Sequence, residues 1–459
     1  MIRTLLFAAV AACVACTTSE SAAEPIAPGS LGTASETPAQ MKELTDAVEL
    51  FQKRDYEGAL KLLEEAVKKD PDLPPPHVIM AQFFAQTNVP AGVRNALERA
   101  VVDSPDDPQA YLILGDIAMR ERRAAEARLL FEKAESLLAQ WKGSAKRKDS
   151  MMPQLCSGLA TTAEARGDWA EARKQLEAWL KLDPKSAAAL LRLAQCQFRE
   201  KDVQGALENL KAAAKINADM LPPEAVLAQW FARSGDQENA RKWLIAALTA
   251  APKNPPVRLV AAQWAWETGR LEEAEKQAAA ALQLDPNYYQ AKILRGIIAL
   301  FQKDYKAAEL YFESAHLQSP KDFAASNNLA LALIEQKDEA KRRRALEYAE
   351  NNVKQFPQMG DAYSTYGWVL YKLGRLQDAE AALRKAISGG TLSAETAYYL
   401  ACVLADRGRD ADAVRLLQSA AQSPAPFAQR EEAQSLLEQL RKAQPPQAQP
   451  QAQQPQPQK

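Results

Sequence analysis

A small residue, Ala or Gly, returns at one register through most of the chain: Ala47, Ala81, Gly115, Ala160, Ala194, Ala228, Ala262, Gly296, Ala330, Gly367 and Ala401. The usual interval is 34 residues. A period of that length is one helix–turn–helix unit. Such units stack, each touching its neighbours, instead of folding around one globular core. This single regularity excludes most folds open to a 459-residue chain.

Two further columns run in phase. Twelve residues on stand Ala59, Val93, Ala127, Ala172, Ala206, Ala240, Ala274, Ala308, Ala345, Ala379 and Ala413. Seven more bring Ala66, Ala100, Ala134, Trp179, Ala213, Ala247, Ala281, Ala315, Asn352, Ala386 and Ala420. Helices approach closely only where no large side chain intervenes, so these columns mark helix–helix contacts. Larger apolar residues fill the space between, among them Leu63, Phe131, Leu210, Phe312 and Leu383. Pro71, Pro105, Pro184, Pro252, Pro286, Pro320 and Pro357 end second helices, since proline cannot continue one. Gly167, Gly235, Gly269, Gly374 and Gly408 fall in the turns inside the hairpins.

The pattern resembles the tetratricopeptide repeat (TPR) family, whose repeat carries small residues at positions 8, 20 and 27 and a proline at 32. The run Tyr366-Gly367-Trp368-Val369-Leu370-Tyr371-Lys372-Leu373-Gly374 matches it best. The resemblance implies an all-α fold: an α-solenoid, a right-handed superhelix of about eleven repeats starting near residues 40, 74, 108, 153, 187, 221, 255, 289, 323, 360 and 394. Contacts are then expected to be local, within one elongated domain. Trp179 and Asn352 depart from the small residue expected there, which predicts more open packing at both. Extra residues lie around Lys142–Ser150 and Lys341–Arg344.

The termini differ from the repeats. Met1-Ile2-Arg3 precedes an uncharged apolar run, Leu5–Ala15, too short to span a bilayer and built like a secretory signal. Val10-Ala11-Ala12-Cys13 fits a lipoprotein signal, while Cys16 leaves a more normal signal length; Cys16 is the favoured lipidation site and Cys13 the alternative. Plain cleavage after Ser21-Ala22-Ala23 is a third option. The organisation expected is a signal peptide over 1–15, a flexible tether over 16–39, the solenoid over 40–427, a capping helix over 428–442 and a disordered Pro/Gln-rich tail over 443–459.

Chemistry is sparse. His77 and His316 lie in different repeats, and Cys156, Cys196 and Cys402 are single thiols at helical positions suited to small buried hydrophobes. Nucleotide-binding, serine-nucleophile and zinc-protease motifs are absent. No catalytic, cofactor or metal residue is assigned, and the chain is read as no enzyme. Net charge is −1 and the basic clusters, Lys142 with Lys146–Lys148 and Lys341–Arg344, lack interleaved aromatics, so neither nucleic acid nor a small-molecule substrate is expected as a partner. Both clusters read as solvated loops.

By the resemblance, a partner sits in the concave groove lined by first helices, at positions 2, 5, 9, 12 and 13. Those positions include Gln82, Asp116, Gln195, Gln229 and Gln263, then the apolar and aromatic Trp266, Ile297, Trp368, Tyr371 and Tyr398. Gln195, Gln229 and Gln263 stand in consecutive repeats and would form an amide ladder. Exposed aromatics in the groove would anchor a partner. The residues used by chaperone-type members to clamp a peptide carboxylate are replaced by Leu, Val, Gln and Phe. The function expected is a non-catalytic interaction scaffold of the bacterial cell envelope. It would be lipid-anchored and face the periplasm, or be secreted and soluble there, and would serve secretion, pilus or exopolysaccharide export. A recruiting subunit of a polysaccharide-synthase or other enzyme complex, and a cytoplasmic adaptor, are the alternatives.

Overall fold

The structure, a computed structural model, describes residues 41–390, 392–423 and 427–443. The signal segment with Cys13 and Cys16, the tether and the tail beyond 443 lie outside the described residues. Among the described residues the regular elements are 23 helices. They fall in two compact units, 41–223 and 224–443, rather than the single domain expected.

The first unit holds α1 (Lys42–Gln52), α2 (Tyr56–Lys69), α3 (Pro76–Gln86), α4 (Pro90–Asp103), α5 (Pro108–Arg120), α6 (Ala124–Ala139), α7 (Ala145–Ala165), α8 (Trp169–Leu182), α9 (Ala187–Arg199) and α10 (Val203–Ile216). The second begins with α11 (Pro223–Arg233) and continues through α12 (Gln237–Ala250), α13 (Pro255–Glu267), α14 (Leu271–Leu284), α15 (Tyr289–Phe301), α16 (Tyr305–Gln318), α17 (Phe323–Ile334) and α18 (Glu339–Gln355). It ends with α19 (Gly360–Lys372), α20 (Leu376–Ala386), α21 (Ala394–Asp406), α22 (Asp410–Gln422) and the single helix α23 (Arg430–Ala443). Odd-numbered helices from α1 to α21 are the first helices of eleven helix–turn–helix units.

The turns explain why the chain reverses so tightly. A left-handed residue follows the first helix in ten of the eleven units, and in six units an Asp caps the second helix, Asp338 among them without a left-handed residue before it. The carboxylates of Asp55, Asp168, Asp202, Asp236 and Asp304 accept the backbone N–H three residues on, at 2.9–3.2 Å. Gly235 takes the left-handed position at φ 85°, while Arg54, Asn88, Arg122, Lys201 and Lys303 adopt it without being glycine. That costs an L-residue ~1–2 kcal/mol, so the hairpin contacts must override it.

Those contacts are matched by size. The first small-residue column packs on the large residue sixteen positions later in the same hairpin. Where that residue is Phe131 or Phe312, the small residue is Gly115 or Gly296, and a methyl on either glycine would stand 2.7 or 2.5 Å from a ring carbon. Phe131 reaches further: a methyl on Gly158, in the next repeat, would meet the same ring at 2.4 Å. Leu63, Leu97, Leu176 and Leu210 occupy the place elsewhere and leave room for alanine. All of these rings and leucines are fully buried, which stabilises each hairpin by about 1.5–3 kcal/mol per side chain.

The two insertions are helical, not loops. Residues Ala145–Ser150 lengthen α7 at its start, and Lys341–Arg344 lie inside α18. The cations pair with the preceding repeat. Arg147 bridges Asp107 at 2.7 Å, donates to Gln109 at 3.0 Å and stands over the Trp141 ring. Lys341 pairs with Glu309, and Arg344 with Glu313 at 2.7 Å. Asn352 does not open its interface either. It is buried and accepts the Ser326 hydroxyl at 2.8 Å, a polar contact in place of the usual methyl. Trp179 is half-buried against the cluster around Leu176 and Leu193.

Gly296→Ala should lower stability in the native background despite alanine's helix preference of about 1 kcal/mol, because overpacking costs ~1–3 kcal/mol. In a Phe312→Leu background the same change should become neutral or stabilising. Urea unfolding of the four proteins gives the coupling, and equal effects of Gly296→Ala in both backgrounds would refute the size matching.

Candidate functional site

Four consecutive first helices of the second unit, α15, α17, α19 and α21, line one partly open cleft. Ile297 and Leu300 of α15 and Leu331 of α17 form an apolar side. Four rings line the rest: Phe301 at the end of α15, Tyr305 at the start of α16, Trp368 and Tyr399. Asn328, Glu335, Glu395 and Gln429 are its polar groups.

Gln429 and Ala428 reach the cleft because the last helix folds back. Lys303, in the turn between α15 and α16, pairs with Glu432 of α23, 129 residues later. Phe427 anchors the approach in a buried position under Arg430, whose guanidinium donates to the Ser423 carbonyl at 2.8 Å. The purely local contacts expected of stacked repeats therefore do not hold here. α23 caps the apolar end of the last hairpin and also reaches back over the cleft.

Trp368 organises the interior. Its indole N–H donates to Glu335 at 2.7 Å, and Lys372 donates to the other oxygen of that carboxylate at 2.8 Å. Its ring stacks on Tyr399, with centroids 4.2 Å apart and planes 17° apart, and on Tyr371 at 5.2 Å. The Tyr371 hydroxyl donates to Asp406 at 2.9 Å. Burial pushes the phenols of Tyr371, Tyr398 and Tyr399 well above their ordinary range, and that of Tyr305 up to about 12. Burial also raises the Glu395 carboxyl, with Asp361 adding to the rise and Arg430 opposing it.

The aromatic residues expected as exposed anchors are mostly packing. Trp266 and Trp368 retain only 4% and 5% exposure, Ile297 and Tyr398 are buried, and Tyr371 is half-buried. The reason is that each first helix contacts two neighbouring repeats, so a ring at its ninth or twelfth position is claimed by the next hairpin; Trp266 meets Phe301 edge-on at 5.2 Å. Of these residues, Ile297 and Trp368 also line the cleft. The glutamines divide between the units, Gln195 in the first and Gln229 and Gln263 in the second. Gln82, Gln195 and Gln229 are half-buried, and Gln263 is buried with its amide nitrogen unpartnered.

Asp116, in the first unit, accepts from Gln154 at 2.7 Å, and burial raises its carboxyl to about 6. Cys156, Cys196 and Cys402 are buried thiols; burial lifts Cys196 and Cys402 to about 12, the opposite of an activated nucleophile. His77 pairs with Asp103 at 3.2 Å, and His316 packs edge-on against Tyr348. Among the described residues no group of three or more His, Cys, Asp or Glu is arranged to hold a metal, and no helix is long and apolar enough to cross a membrane.

Sequence reasoning missed several cleft residues. Phe301, Glu335 and Glu395 stand at groove positions of their repeats but were hidden among ordinary polar and apolar helix residues. Tyr305 and Gln429 had no signal, since a second helix and the fold-back of α23 bring them there.

Tetratricopeptide repeat signatures match residues 50–117, 158–220, 259–319, 338–394 and 367–428. The chain belongs to the tetratricopeptide repeat family, in general a non-catalytic protein-interaction fold. Solved structures align with the chain at low identity and low TM-score. A tetratricopeptide repeat protein from Parabacteroides merdae is 16% identical, covers 63% of this chain and 99% of its own, and has a TM-score of 0.39. Yeast Tom70 is 15% identical over 87% of this chain and 95% of its own, with a TM-score of 0.35. Human IFIT1 is 18% identical over 80% and 89%, with a TM-score of 0.40. No curated protein sequence matches the chain.

The raised Asp116 carboxyl has a signed consequence. Its ordinary value of 3.8 is that of the unfolded chain, so the folded form holds the proton more tightly. The stability this group contributes is full below that ordinary value and is lost as pH rises toward 6. Asp116→Asn should therefore stabilise the protein at pH about 7.5 more than at pH about 4, read by urea unfolding at both. A carboxyl titration by NMR with a midpoint near 4 would overturn this.

Proposed function

We propose that the protein is a non-catalytic scaffold that holds a protein partner at the cleft walled by α15, α17, α19 and α21. The observation that carries this reading is the convergence of four successive first helices on one partly open, apolar and aromatic cavity with few polar groups. Membership of an interaction-type repeat family supports it. A photo-crosslinking amino acid at Leu331, half-buried on the cleft wall, should give discrete protein adducts in cells. The same amino acid at Leu310, 68% exposed on a second helix, should not. Equal adducts from both positions, or none from Leu331, would sink the proposal.

We further propose that the scaffold works in the bacterial cell envelope, lipid-anchored through Cys16, with Cys13 as the alternative anchor. The basic start, short apolar run and closing cysteines support this placement. A role in secretion, pilus or exopolysaccharide export assembly, or recruitment of an envelope enzyme complex, is compatible with it. Intact-mass analysis of the mature protein should find an acylated N-terminal cysteine, and Cys16→Ala should move the protein from the membrane to the soluble fraction. An intact Met1 on a soluble protein would refute the anchor.

A further inference from the structure

The described residues contain three buried glutamates: Glu309, Glu380 and Glu395. A carboxylate taken out of water needs a cation or several donors to remain charged. Glu309 has Lys341, and Glu380 has Arg384, Arg407 and Arg409. Glu335, the other cleft carboxylate, has Lys372 and the Trp368 indole. Glu395 is 8% exposed, lines the cleft and has no lysine or arginine within ion-pair distance among the described residues. Arg430 is near, but its guanidinium is directed to the carbonyls of Ala421 and Ser423.

Two more acceptors at this end of the unit are unmatched. Gln429 Oε1, on a residue of the cleft wall, and Glu432 Oε2, beside it on α23, are buried and lack a donor. Both are acceptors, and the Glu395 carboxylate of the same cleft has no side-chain cation. The rings of Phe301 and Tyr305 line the same cleft, and an aromatic face favours a cation. The approach past Ile297, Leu300 and Leu331 is aliphatic.

We propose that the cleft receives a basic side chain, lysine or arginine, of a peptide partner, with its charged head at Glu395. The apolar wall fits the methylene stem, and the carboxylate and rings fit the head. A free alkylammonium would satisfy Glu395 but would leave the aliphatic wall uncovered. The proposal deepens the scaffold reading above and rests on it.

The test uses the purified full chain and the fluorescein-labelled peptide Ala-Ala-Lys-Ala-Ala amide, with norleucine and glutamate counterparts, read by fluorescence anisotropy. The lysine peptide should bind at least tenfold more tightly than either counterpart. Glu395→Gln, which removes a buried charge that has no side-chain ion pair among the described residues, should keep the fold and bring binding to the norleucine level. Phe301→Leu should weaken it severalfold with the thermal melt unchanged. Equal binding of lysine and norleucine peptides, no binding of either, or indifference to Glu395→Gln would overturn the proposal. So would n-butylammonium competing as strongly as the peptide, which would make the site one for a small cation. If these peptides fail while Leu331 still crosslinks a protein, the basic-side-chain assignment falls and the scaffold reading stands. If both fail, both fall.

Discussion

Everything else in the structure depends on how closely the two helices of each hairpin approach. That distance is set by a pair of residues sixteen apart, one small and one large. Gly115 with Phe131, Gly296 with Phe312 and alanine with leucine in most other units are one solution at two sizes, while Gly367 with Leu383 and Ala262 with Ala278 depart from it. Close packing tolerates neither a void nor a surplus methyl, so the pair acts as a gauge for the whole unit. Once it is satisfied, even strained turns become affordable, and Arg122, Lys201 and Lys303 hold a left-handed backbone that glycine would adopt more cheaply.

The same close approach decides what happens to charge. Stacked hairpins bury acidic residues at their seams, and such residues need cations within reach. Arg147 with Asp107, Lys341 with Glu309 and the three arginines around Glu380 are such joints. Both apparent loop insertions turn out to be extra helical turns that deliver these cations. Asp116, held by Gln154, and Glu395 lack such a cation, and only Glu395 stands in the cleft.

Much of the fold was legible in the sequence because small residues recur at a period only stacked hairpins explain. The turn glycines and the buried character of Cys156, Cys196 and Cys402 follow from that frame. The candidate site was legible only in part. Ile297, Leu300, Leu331 and Trp368 were visible as apolar groove positions, yet the ring of Trp368 proved to be mostly enclosed. A periodicity gives each side chain a direction but not the neighbour that covers it. Glu335 and Glu395 were hidden because helix surfaces are rich in glutamate, and nothing local separates a solvated one from a buried one.

The sequence by itself determined the repeat, its number and the face each side chain takes, since these depend on contacts within one hairpin or between adjacent ones. Tertiary structure alone decided that α23 returns to the turn of Lys303, 129 residues earlier, and closes the cleft with Gln429. Such a contact depends on small rotations accumulated from one hairpin to the next, and these sum the packing of many side chains. No single residue encodes that sum.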